Sequence, residues 1–299
     1  MTIEAKVIED SISLAGERIT TLQIKFHRYI LPEFNTHRVF SRNFSSSRAI
    51  PTAKLIEQVR LHPAMPVHWG KNQPGMQAEV ELEGQELESA KSKWKLAAER
   101  AADVAEEMAA LGMHKQVTNR PLEPYLYVTG IVTSTDFTNW DSLRAHPDAQ
   151  PEIHELAIRM QKARNASIPK ILYPGQWHLP YVSEAERNDQ FFKLPANVFM
   201  LQKISAARCC RVSYLKHDGS LPNIDDDLAL FQRLAGAEPI HASPLEHQAT
   251  PDTYTPGLGW DNSSEHGNFK GWIQMRKIFE ISNVDPVKYT KYLIKATHR

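Results

Sequence analysis

The residues best suited to hold a charged small molecule fall between positions 36 and 48: His37-Arg38, Ser41-Arg42 and Ser46-Ser47-Arg48. Serine hydroxyls, open backbone amides and planar guanidinium groups make a phosphate cradle. Each phosphate oxygen takes several converging donors, and arginine offers two in parallel. No acidic residue stands between Asn35 and Lys54 to oppose an anion. A solvated Ser/Arg loop is the competing reading. A second group, Leu143-Arg144 and then Ala149-Gln150-Pro151-Glu152-Ile153-His154, opens an expected helix. Gln150, Glu152 and His154 can meet a ligand there, although polar residues at a helix start more often cap it. A third group is Arg208, Arg211-Val212-Ser213 and then His241 to His247. His241, Glu246 and His247 have metal-binding chemistry, but no HExxH or paired-cysteine spacing accompanies them. Hydrogen-bonded structural histidines are the favoured reading, and no metal is expected.

Other chemistries lack their signatures. There is no GxGxxG, GxxxxGK[ST] or GxSxG, so dinucleotide folds, P-loop enzymes and nucleophile-elbow hydrolases are not indicated. The only cysteines, Cys209 and Cys210, are adjacent, which rules out a disulfide framework and favours small buried residues. The 35 basic residues balance the 35 acidic ones, which argues against a protein that coats nucleic acid polymers. No apolar run approaches a membrane helix, and the first residues resemble neither a secretory nor a transit peptide, so a soluble cytoplasmic protein is expected.

Around these groups the pattern predicts alternating helices and strands. Residues 11–31 form a strand or hairpin through Ile19, Leu22, Ile24, Phe26 and Tyr29, stopped by Pro32. Residues 33–49 make poor core. The 61–84 stretch holds three prolines and three glycines and reads as a long loop, an insertion or lid. An amphipathic helix over 86–111 carries Trp94, Ala97, Ala101, Val104, Met108 and Leu111 on one face, with Gly112 as its stop. Val128–Thr135 predicts a strand, and 149–164 a helix with Ile153, Leu156, Ala157 and Met160 inward. Further helices are expected near 195–207, 224–236 and 269–282, with a loop at 256–268.

Together these groups resemble the flavin-dependent thymidylate synthases. Their Arg-His-Arg…Ser…Ser-x-Arg signature is met at Thr36-His37-Arg38-Val39-Phe40-Ser41 and Ser46-Ser47-Arg48, with threonine for the first arginine. Ser142-Leu143-Arg144 with Ala149-Gln150-Pro151-Glu152-Ile153 is similar to the family's Asn-Leu-Arg and Ala-Gln-x-Glu-Ile helix, and Arg120 to Pro124 to the segment before it. Ala207 to Tyr214 and His241 to His247 resemble the Ala-Arg-Val-Ser and His-x-Ser-Pro-x-Glu-His pair, here placed last, as in a circular permutation.

The resemblance implies an α+β fold with a mixed β-sheet and surrounding helices. It also implies one catalytic fold over 1–299, with 61–84 an insertion and 250–299 a C-terminal extension. Expected with it are a homotetramer, FAD, a pyrimidine deoxynucleotide, methylene-tetrahydrofolate and NADPH. His37, Arg38 and Arg48 would be catalytic. His37, Arg38, Arg144, Ser213, His241 and Ser243 would hold the flavin, and Ser46, Ser47, Arg48, Arg120 and His154 the nucleotide. The reaction implied is reductive methylation of dUMP. Thr36, Phe44, Ala49 and His154 depart from the family pattern near the base, which leaves open hydroxymethylation of dUMP or dCMP, or a non-catalytic nucleotide-binding protein.

Overall fold

The computed structural model describes residues 3–194, 197, 199–212, 220, 223–235 and 240–282. The chain begins with an antiparallel hairpin, β1 (Glu4–Ser13) and β2 (Arg18–His27), turned at Gly16, whose φ of +84° suits a residue without a side chain. Next come α1 (Leu31–Asn35), β3 (Ser41–Phe44), α2 (Thr52–Leu61), α3 (Gly84–Ala110) and α4 (Lys115–Thr118). They are followed by β4 (Tyr127–Ser134), α5 (Thr138–Arg144), α6 (Pro151–Asn165) and β5 (Lys170–Leu172). Then come α7 (Glu184–Asn188), α8 (Gln190–Lys193), α9 (Met200–Arg211) and α10 (Ile224–Ala235). Short strands β6 (Ala249–Pro251), β7 (Tyr254–Thr255), β8 (Gly259–Trp260) and β9 (Trp272–Gln274) precede α11 (Met275–Ser282).

The main sheet runs β3-β4-β2-β1-β5. β4 pairs antiparallel with both β2 and β3, and β5 joins β1 in parallel, so the sheet is mixed and the fold is α+β. Alternation sets the layers. Leu22, Ile24 and Phe26 of β2 and Val128 and Val132 of β4 face α6, which meets them with Ile153, Leu156, Ala157 and Met160. The 33–49 segment departs from expectation here: Phe34 and Phe40 are fully buried against Trp140, so the segment is half core and half site. β3 can lie close to β4 because residue 130 is glycine. A Cβ there would stand 2.0 Å from the Phe44 ring.

The opposite face of the sheet carries a buried polar row beside apolar residues such as Ile19 and Ile131. Ser11 Oγ lies 2.9 Å from His178 Nδ1, and His178 Nε2 lies 2.8 Å from Thr21 Oγ1. Thr21 Oγ1 lies 2.7 Å from Thr133 Oγ1, and Thr133 Oγ1 lies 2.8 Å from His247 Nδ1. All five side chains are buried.

Two other expectations change in detail. The buried stripe of α3 is Ala98, Ala102 and Ala105 against Leu55, Ile56 and Val59 of α2, while Val104 and Leu111 are exposed. Small side chains let the helices approach, and Arg60 fixes the angle by pairing with Glu99, Asp103 and Glu106. The last helix starts at Met275, not 269. Gly271 has a positive φ, and a Cβ on it would meet Trp260 at 2.7 Å and Glu17 at 2.8 Å, so Trp272–Gln274 runs as a strand beside β6. No helix among the described residues is long and apolar enough to cross a membrane.

Candidate active site

A cavity of about 2,410 Å³ lies between the start of α6, the end of α5 and the 61–84 segment. That segment is an arm with its own structure. Gly70 and Glu81 form a β-bridge, the Lys71 N–H donates to Val80 at 2.7 Å, and His68 meets the Ala78 carbonyl at 2.7 Å. Beyond Ala64 and Met65, which bond to Tyr125, Trp94 and His27 at its root, the arm is tied down at two points. Its Val67 N–H donates to Glu152 Oε1 at 2.9 Å, and Gln77 Nε2 donates to the Asp148 carbonyl at 2.7 Å.

The α6 start explains the polar run of the sequence. Gln150 is the N-cap, its Oε1 accepting from the Ile153 N–H at 3.2 Å, while its amide donates to Glu152. Glu152 is buried, and it also faces Tyr29, whose phenol is pushed above its ordinary value by burial and then by this carboxylate. Gln150 therefore caps the helix, as polar residues at a helix start commonly do, and Glu152 holds the arm. His154, half-buried on the next turn, lines the cavity with its ring.

One wall is aromatic. The His27 ring sits 5.1 Å from Tyr29 and 4.9 Å from Tyr127, and Tyr29 sits 6.3 Å from Trp94. His27 Nε2 faces the Met65 carbonyl at 2.6 Å and must donate to it, and burial holds the ring below its ordinary pKa, in the neutral form. From sequence, Tyr29 is placed near the end of the first strand and Trp94 on the helix over 86–111, and His27 and Tyr127 are assigned to no site. Their signal was the cluster of aromatic and histidine side chains at 27–29 and 125–127 on paired strands.

At the cavity's edge, Arg144 Nε donates to His37 Nε2 at 3.0 Å and Arg144 Nη2 reaches Thr36 Oγ1 at 3.5 Å. His37 is buried edge-on to Trp140 at 4.8 Å. Burial, then the charges of Arg144 and Arg42, lower its pKa to about 4. It is a neutral acceptor that fixes a guanidinium.

The remaining sequence candidates are dispersed. The Ser47 hydroxyl is buried and donates to Glu123 Oε1 at 2.6 Å, and Arg120 and Arg28 pair with the same carboxylate at 2.9 and 3.2 Å. Ser47 and Arg120, expected to hold the nucleotide, are thus both engaged by Glu123, which is distant in sequence from Ser47 and one turn on from Arg120. Ser46 is half-buried and Arg48 exposed, and neither lines the cavity. Arg38 lines a different, basic basin. Ser243 Oγ reaches Asn43 Oδ1 at 3.5 Å, His241 is exposed, and Ser213 lies outside the described residues. Glu246 pairs with Arg276, and His247 is buried on Thr133, so these residues do not converge with His241 on a metal. Arg208 is structural, bonded to Asp227, Glu186 and the Tyr181 carbonyl. Burial pushes the Cys209 thiol up, away from nucleophilic use.

The flavin ligands implied by the resemblance therefore do not share one cradle among the described residues. Of those that are described, His37 and Arg144 meet.

No family model and no curated protein matches the chain. Among solved structures, a UMP/dUMP methylase PolB from Streptomyces cacaoi bound with 5-Br UMP is similar at 18% identity and a TM-score of 0.44, over 54% of this chain and 88% of that one. The same methylase bound with 5-Br dUMP gives 17% identity and a TM-score of 0.45, over 54% and 89%. Likeness of this degree is too slight to carry a function.

Proposed function

We propose that the cavity beside Arg144 binds a pyrimidine nucleotide and that the chain catalyses one-carbon transfer to C5 of its base, with methylene-tetrahydrofolate as carbon donor and methylation of dUMP as the leading case. The observation that carries this reading is the 3.0 Å bond between Arg144 and His37. It joins, at the edge of one cavity, two segments that the sequence separately marks as ligand-binding. The aromatic wall offers ring faces to a base, and Arg144, held in place by a neutral histidine, offers its remaining donors to an anionic or carbonyl oxygen. With the Cys209 thiol buried and neither Cys209 nor Cys210 lining the cavity, the contribution of these residues is orientation and charge placement, not covalent attack. FAD and NADPH belong to the proposal as electron sources on the strength of the resemblance. Among the described residues of one chain, the side chains implied to hold the flavin do not converge beyond the His37–Arg144 pair.

The test is product mass. The full chain is incubated with dUMP or dCMP, methylene-tetrahydrofolate, FAD and NADPH. A methylated deoxyuridylate supports the leading case, and a product heavier by one further oxygen identifies hydroxymethylation. Unaltered nucleotides together with no measurable binding of either would refute the proposal, and a protein that takes up no yellow chromophore from added FAD would refute its flavin part.

A further inference from the structure

We propose that α3 pairs antiparallel with α3 of a second copy of this chain, through an apolar seam that the fold leaves open. Trp94, Ala97, Ala101, Val104, Met108 and Leu111 recur at alternating steps of three and four, the spacing of a coiled-coil seam. α2 packs instead on the neighbouring stripe of Ala98, Ala102 and Ala105, and Val104 and Leu111 stay 46% and 81% exposed. Trp94 is engaged by the root of the arm, its Nε1 donating to the Ala64 carbonyl at 2.9 Å. From Ala97 onward the seam is open. The face that periodicity marks as inward is thus a real apolar face, turned away from the helix that α3 packs on.

Three observations make the occupant a second copy. The first is charge. On the α2 side of α3, Glu99, Asp103 and Glu106 are all paired with Arg60. Arg100 and Glu107 flank the seam on its other side, each one residue before a seam position. Both are exposed, and neither side chain makes an ion pair or hydrogen bond among the described residues. The second is symmetry. In an antiparallel pair the residues on this flank face their own equivalents. A register that sets Ala101 on Val104 of the second copy therefore brings Arg100 to its Glu107 and Glu107 to its Arg100, two ion pairs from one two-fold axis. A parallel pair would instead face each charge with an alanine of the α2 stripe. The third is volume. The same register sets Ala97 against Met108 of the second copy and Met108 against its Ala97, so successive layers place a small side chain beside a larger one.

The seam's own surface is modest for a lasting interface, which needs on the order of 1,200 Å² in total. Met113 and Val117, just past the end of α3, are also exposed, at 41% and 44%, and add to the apolar surface at that end. Association that depends on protein concentration is therefore expected. The inference stands apart from the nucleotide reading, since neither Arg100, Val104 nor Glu107 lines the cavity beside Arg144.

The experiment is sedimentation velocity of the full chain over about 1–100 μM. Wild type should reach at least twice the mass of one chain. Arg100→Glu sets like charges opposite one another in both pairs and should weaken association about a hundredfold, halving the mass at equal concentration. Val104→Asp, which puts a charge into the seam itself, should do the same. The exchange Arg100→Glu with Glu107→Arg restores both pairs in reverse and should recover the wild-type mass. All three positions are exposed in the single chain, so the variants should keep the wild-type circular dichroism spectrum. A wild type that stays a single chain throughout overturns the proposal. So does an assembly that Arg100→Glu and Val104→Asp leave intact, which would place the contact on another surface, or one that the charge exchange fails to recover.

Discussion

Arg144 and Ser47 show how one residue type acquires its role from a partner far away in sequence. Arg144 is aimed by His37, and a glutamine in its place keeps a donor but loses the charge and the bond. Arg144→Gln is expected to weaken dUMP binding about tenfold to a hundredfold in a direct titration, and unchanged affinity would remove this cavity as the nucleotide site. Ser47 is the converse case. Its hydroxyl is committed to Glu123 in a buried position, so Ser47→Ala should cost about 1–2 kcal/mol of stability in urea unfolding while leaving dUMP affinity unaltered. A loss of affinity without a loss of stability would restore Ser47 to the binding machinery.

At the scale of elements, the arm and α6 act as one unit through Glu152, which takes the Val67 N–H from the arm and the Gln150 amide from the helix cap. Glu152→Ala strips both partners. The arm should then open more often, and tryptic cleavage after Lys71 should accelerate about tenfold; cleavage at the wild-type rate would show that the Gln77 tether alone suffices. The same elements show what sequence could and could not provide. The hairpin around Leu22–Phe26, the strand at Val128 and the helix through Ile153–Met160 were readable because period-two and period-3.6 patterns are local properties of the chain. The inward turn of Phe34 and Phe40 was not, since it depends on Trp140 arriving from another segment. Nor was the capture of Ser47 by Glu123. The start of α11 was misplaced because Gly271 answers to Trp260 and Glu17, not to its neighbours in sequence.

Across the whole molecule, buried neutral histidines govern the response to acid. His27, His37, His178 and His247 all have pKa values lowered by burial, His37 to about 4 and His247 to about 3. A histidine depressed in the folded state stays unprotonated while the unfolded chain takes up protons, so its contribution is present above about pH 6.5 and is lost as pH falls. Glu9 works in the opposite sense, because burial raises its carboxyl to about 7 even with Arg187 at 3.0 Å. Four imidazoles against one carboxyl give a net loss, and the urea midpoint should be lower at about pH 5 than at about pH 7; an equal or higher midpoint would contradict this balance. Two of these histidines are also linked through the polar row on the sheet. Every contact in that row can carry its proton in either sense, but only one sense at a time. With each hydroxyl spending its one proton inside the row, Ser11 donating to His178 Nδ1 makes His178 donate to Thr21, Thr21 to Thr133 and Thr133 to His247 Nδ1, which puts the His247 proton on Nε2. In that arrangement the tautomers of His178 and His247 are matched, and Ser11→Ala, on β1 beside β5, should move the ¹⁵N signals of both rings together; a shift confined to His178 would show that one threonine hydroxyl accepts from both neighbours.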